Sequence, residues 1–173
     1  MDVQGAVRKA IELQGGLRLK GGERVIIKPN ICNAKNPYGM VNTDLGVIAA
    51  VVELVKERTD DVTVVESDNV SGSADRRAEE SGLLRKLGEL GVAFFNLSRD
   101  EFEAHEVRGV KLHIPKTVLE ADCFINVPKM KTEGHVLVTL SMKNLFGVLQ
   151  QGRKNRLHRC LVEVLPYLAK VVR

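Results

Sequence analysis

Lys28, Lys129 and Lys131 stand at or just past the ends of short apolar runs, in Val25-Ile26-Ile27-Lys28-Pro29-Asn30 and in Cys123-Phe124-Ile125-Asn126-Val127-Pro128-Lys129-Met130-Lys131, and Lys143 follows in an opening helical pattern with Ser141 and Asn144. Ammonium groups crowded together repel one another until an anion or carboxylates compensate them, so the chemistry these residues could do is anion capture. Their bland alternative is a set of ordinary surface ion pairs, each worth about 0–1 kcal/mol. Asn30 and Asn144 would orient the anion, although asparagine also suits such boundaries because it tolerates turns and caps helices. Asp68, with Glu66, either balances the lysines or holds a divalent cation; two carboxylates without a third ligand favour balance, and no metal is expected. His135 and His158 are candidate general acid–base groups, against the alternative of solvated loop histidines. Cys32 is a candidate redox thiol or ligand, whereas Cys123 and Cys160 read as small core residues. A lysine of lowered pKa could act as a nucleophile in such a cluster, but no residue pattern singles one out. No glycine-rich nucleotide fingerprint follows a strand, so the sequence specifies no cofactor and the reading stops at binding, with enzyme status open.

The elements that must position these groups alternate. Val3–Leu13 has helical apolar spacing and is closed by Gly15-Gly16. Arg24–Lys28 reads as a strand, Ile31–Asn42 as a long loop, and Asp44 to about Arg58 as a helix capped by Thr43. Asp61–Glu66 is a second strand; Ala74–Glu80 and Leu83–Leu90 are helices split at Gly82; Val92–Leu97 is a third strand. Phe102–Val107 and Val110–Ile114 form a hairpin about Arg108-Gly109, and a short helix over Lys116–Ala121 leads to the strand Cys123–Val127, ended by Pro128. A polar loop, a helix opening near Leu140, a basic loop over Gln150–Arg156 and a helix from His158 interrupted at Pro166 complete the chain. This order predicts an α/β fold: a three-layer domain with a mainly parallel sheet of about four strands, flanked by helices, plus a small β-hairpin excursion. Parallel strands share one C-terminal edge, and here that edge would carry Lys28 and Asn30, Glu66 and Asp68, Asn96, and Lys129 and Lys131.

The bulk numbers narrow the classes. A chain of 173 residues and 19.1 kDa fits a single domain, residues 1–173, with a real core. Hydrophobic content of 44% argues against disorder, and 4% aromatics makes the core aliphatic. A net charge of +4 without a dense basic face or stacking aromatics argues against nucleic acid. Three dispersed cysteines fit neither a disulfide framework nor a cluster motif, which favours a reducing cytoplasm. Met1-Asp2-Val3 does not open a signal peptide, and the most apolar window, Leu45–Val55, is too short to span a bilayer, so no membrane role is expected.

The stretches Val25–Asn30, Thr43-Asp44, Asp122–Lys131 and Met142–Gly147, in this order and spacing, resemble the family numbered 362 among domains of unknown function, found widely in archaea and anaerobic bacteria; the likeness covers roughly Glu23 to His158. Some members of that family carry a ferredoxin-like segment and are described as iron–sulfur proteins, a segment this chain lacks. Members usually continue past a helix like Leu157–Val172 into another strand and an Asp-containing motif, so the chain reads as a short or C-terminally truncated member. They often place a histidine directly after the Lys-Thr pair, where this chain inserts Glu133-Gly134 before His135. In the context of that family, the site for an anionic small molecule or cofactor read from the lysines would serve anaerobic redox metabolism, with an iron–sulfur protein as a partner. The alternatives are a non-catalytic module that docks an acidic partner such as a ferredoxin, and an iron–sulfur-associated protein.

Overall fold

The computed structural model describes residues 2–133 and 137–172. Four parallel strands, β1 (Val25–Pro29), β2 (Val62–Glu66), β3 (Ala93–Asn96) and β6 (Cys123–Val127), form one sheet in the order β3-β2-β1-β6. Between β3 and β6 the chain makes the expected hairpin, β4 (Phe102–Val107) and β5 (Val110–Pro115). Its two-residue turn takes positive φ at Arg108 (48°) and Gly109 (80°), the geometry that matches strand twist.

Helices cover both faces, giving three layers. Side chains alternate across a strand, and the core divides accordingly. Val25, Ile27, Val62 and Val64 pack on one face against α2 (Leu45–Lys56), α3 (Ala74–Glu80) and α4 (Leu83–Leu90), through Ile48, Val52, Ala78 and Leu83. Ile26 and Val65 pack on the other against the hairpin, α5 (Lys116–Leu119) and α7 (Leu161–Val171), through Leu112, Val118, Val164 and Leu168. The helix α1 (Val3–Leu13) lies on α2 without burying any residue fully.

Four local expectations are corrected. Asp44, not Thr43, caps α2, its carboxylate accepting from the Gly46 and Val47 N–H groups. Thr43 instead bridges strand ends: its Oγ1 accepts from the Asn30 N–H at 2.9 Å and donates to the Val127 carbonyl at 2.7 Å. The stretch after Pro128 is not only loop, because β7 (Lys131–Glu133) pairs antiparallel with β8 (Leu137–Thr139). Finally, the basic segment tightens into a 3₁₀ turn over Lys154–Cys160, and α7 runs through Pro166 without interruption. Pro166 is the sixth residue of α7, past its first turn, where a proline removes a donor that would otherwise bond within the helix.

Candidate anion site at the sheet edge

The chain moves from β1 outward through β2 to β3, then returns to the opposite side of β1 with β6. Where strand order reverses, the crossovers leave on opposite faces and a crevice opens at the strand ends. Such a crevice is present here, a cleft of about 340 Å³. The ends of β1 and β2 supply Lys28, Asn30 and Glu66 to its wall, and Cys32 follows in the long loop. From β7 and β8 come Lys131 and Thr139; α6 (Ser141–Leu145) and the turn after it bring Lys143, Asn144, Phe146 and Gly147; the 3₁₀ turn brings Lys154, Asn155 and His158.

At the floor lies an ion pair. Lys28 is fully buried, and its Nζ donates to Glu66 Oε2 at 2.8 Å, to Asn144 Oδ1 at 3.0 Å and to the Pro29 carbonyl at 2.9 Å. An ammonium has three donors, so all of them are used. Glu66 also accepts from the Ser67 N–H at 3.0 Å and the Ile31 N–H at 3.3 Å. Charge balance is thus the role the structure shows for Glu66. Gly147 follows from this pair: a Cβ there would come within 2.6 Å of Glu66 Oε1, Lys28 Cε and Lys28 Nζ. The glycine of Lys143-Asn144-Leu145-Phe146-Gly147 is required by close approach, not by an unusual φ.

The two asparagines hold the edge together. Asn144 Oδ1 accepts from Lys28 Nζ and from Asn30 Nδ2 (2.6 Å), while its Nδ2 donates to the Lys28 carbonyl (3.1 Å) and Asn126 Oδ1 (2.7 Å). All four hydrogen-bonding positions of that amide are filled. Asn30 Oδ1 accepts from the Lys129 N–H at 2.9 Å, tying β1 to the chain leaving β6.

The remaining cations are placed differently. Lys131 Nζ lies 2.9 Å from Cys32 Sγ and 2.7 Å from the Val41 carbonyl, pinning the long loop to β7. Lys143 Nζ sits 4.7 Å from the Phe146 ring centre and 3.3 Å from His158 Nε2. The Asn155 carbonyl, which can only accept, is 2.8 Å from His158 Nδ1, so Nδ1 carries the proton and Nε2 is left to accept from Lys143. Lys129 and Asp68 do not line the cleft. Asp68 Oδ1 accepts from the Ala74 N–H at the start of α3 and from Asn96 Nδ2. His135 lies outside the described residues. Among those residues no group of three or more His, Cys, Asp or Glu is gathered to hold a metal.

Two buried cations escaped the sequence reading. Lys154 is 6% exposed; its Nζ donates to Ser67 Oγ and to the Leu149 carbonyl. Burial pushes its pKa down to about 8, Lys28 and Arg77 pushing the same way and Glu66 and Asp68 opposing them. Arg77 is 1% exposed and has no carboxylate partner among the described residues: its guanidinium donates to the carbonyls of Ile31, Ser67 and Gly72. Both lie in segments of dense surface-type charge, where nothing in the spacing marks one residue as buried.

The chain is 31% identical over 144 residues to the Thylakoid-associated protein sll1697 of Synechocystis sp. (strain ATCC 27184 / PCC 6803 / Kazusa), an alignment that covers 82% of this chain and 44% of that protein. No solved structure matches. Among the described residues no helix is long and apolar enough to cross a membrane. The family described as Domain of unknown function (DUF362) matches residues 25–173, which include every residue named at the cleft, and the chain belongs to that family.

Proposed function

We propose that the cleft binds an anionic small molecule or cofactor at the C-terminal edge of the sheet. One observation carries the reading. Among the described residues the buried charged side chains are Lys28, Glu66, Arg77 and Lys154, three cations to one carboxylate; Lys28, Glu66 and Lys154 line this cleft, and Arg77 is near enough to Lys154 to press its pKa down. Uncompensated charge out of water is costly, and a bound anion offsets that cost. Lys131 and Lys143 on the wall add attraction at closer range to solvent. Lys28, whose donors are all taken, contributes field, and Asn30 and Asn144 contribute rigidity to the rim. Redox metabolism, with an iron–sulfur protein as partner, and a cytoplasmic working place belong to the same proposal.

The test is thermal unfolding of the chain with phosphate, sulfate and carboxylates at constant ionic strength, alongside native mass spectrometry of gently purified protein. A ligand at 100 times its Kd stabilises by about 2.7 kcal/mol, a rise in Tm of roughly 5–11 °C for a domain of this size. No shift with any anion, together with capture of an acidic ferredoxin, would replace the reading with that of a docking module. Recovery in a membrane fraction would overturn the cytoplasmic placement.

A further inference from the structure

We propose that the cleft selects a compact dianion of the phosphate-monoester class and that Lys154 is the side chain that anchors it, an inference that rests on the anion-binding reading above. The donors divide the cations into two kinds. Lys28 spends all three N–H groups on Glu66, Asn144 and Pro29, and Arg77 directs its guanidinium onto three backbone carbonyls. Those two set the potential but have little left to give. Lys154 donates to Ser67 Oγ and the Leu149 carbonyl, and Lys131 to Cys32 Sγ and the Val41 carbonyl, so each ammonium keeps one donor without a protein acceptor among the described residues. Two such ammoniums on one cleft match two negative charges on one headgroup.

Volume and lining define the rest of the ligand. At about 340 Å³ the cleft is near the small end of ligand pockets, which admits a headgroup with a short body. Val70 and Phe146 line it beside the cations and offer that body an apolar wall. A monoester satisfies both halves, whereas a dicarboxylate would spread its charges along the body.

Lys154 also gives the site a dependence on pH. The groups around it are Glu66, Asp68, Lys28 and Arg77, with Lys131, Lys143, His158 and Cys32 on the same cleft. With its pKa held near 8, Lys154 loses its charge within a mildly alkaline range in which lysines in water stay charged. A bound dianion favours the charged form, so binding takes up a proton as pH rises past that value.

Calorimetric titration of the full chain at constant ionic strength tests this with phenyl phosphate, inorganic phosphate, succinate and acetate. The two phosphates are expected to bind at least about tenfold more tightly than succinate or acetate, with phenyl phosphate the tighter if the apolar wall is used. Equal binding of both phosphates would assign the site to the free ion and overturn the monoester part. Sulfate, a dianion throughout, is then titrated from pH 7 to 9.5, where its affinity should fall about tenfold. Lys154→Met should lower phosphate affinity about tenfold and flatten the sulfate profile. Lys154→Arg, which keeps its charge, should retain binding and lose the pH dependence. Wild-type affinity in Lys154→Met, or acetate binding as well as phosphate, would overturn the inference while leaving anion binding intact. Failure of every anion to bind the wild type would remove the reading beneath it.

Discussion

Replacing Glu66 with glutamine should push stability and anion affinity in opposite directions. The buried carboxylate accepts from Lys28 through Oε2 and from the Ser67 N–H through Oε1. A glutamine has one acceptor oxygen and one amino group, so whichever way it turns, a donor faces a donor. With the amino group toward Lys28 the ammonium keeps only the Pro29 carbonyl and Asn144 Oδ1, and with it toward Ser67 that N–H loses its acceptor. Removing one partner of a buried pair typically costs about 3–5 kcal/mol. At roughly 2–4 °C per kcal/mol for a domain of this size, Tm should fall by about 6–20 °C. Meanwhile a negative charge leaves the cleft wall. At roughly 6–8 Å from a bound anion and an effective dielectric near 20, that charge contributes about 2–3 kcal/mol of repulsion; screening by salt leaves on the order of a tenfold gain in affinity. Denaturant unfolding and sulfate titration of the same Glu66→Gln preparation measure both. The double variant Lys28→Met, Glu66→Leu should recover much of the lost stability, because the cost lies in the orphaned ammonium. A Tm within about 2 °C of wild type, or weaker sulfate binding by a folded Glu66→Gln, would refute the argument.

Gly147→Ala should cost about 1–3 kcal/mol in denaturant unfolding, since the added methyl must force apart Lys28 and Glu66. A neutral result would mean that the turn after α6 moves freely. Arg77→Lys should destabilise by more than about 2 kcal/mol despite keeping the charge, because one ammonium cannot reproduce a fork directed at three carbonyls; full rescue by lysine would show that charge alone matters. Stability should also respond to alkali through Lys154. Its folded pKa, about 8, lies below the usual 10.5, so between those values the unfolded chain holds more protons and stability rises with pH. The wild-type chain should gain roughly 3 kcal/mol over Lys154→Met across that window, and parallel pH profiles for the two would show that burial leaves the lysine's pKa where it is in water.

Hydrophobic period and punctuation were enough to read most of the fold. Val25-Ile26-Ile27 and Cys123–Val127 are short apolar runs bounded by turn residues, and the helices between them show the spacing of one buried face. Alternation of the two then dictates a parallel sheet, because only a crossover helix returns the chain to start a parallel neighbour. That Lys28, Lys131 and Lys143 share one cleft also followed, since the first two end or follow neighbouring strands and the third opens the helix packed beside them.

What the order of residues did not decide is which polar groups are spent and which remain. Lys28 and Lys131 look alike along the chain; the first is sealed under Glu66, Asn144 and Gly147, and the second reaches across to the long loop. Asn144 reads as a boundary residue and proves to be the four-bonded centre of the edge. Lys154 and Arg77 lie among Arg153, Asn155 and Arg156 and among Arg76, Glu79 and Glu80, neighbours that suggest a solvated surface. Their burial is set by contacts across roughly 87 and 46 positions, to Ser67 and Ile31. Periodicity reports which way a side chain faces, and so it fixes layers and edges. The identity of a group's partner, and hence its charge cost and remaining donors, arises only when distant segments close on one another.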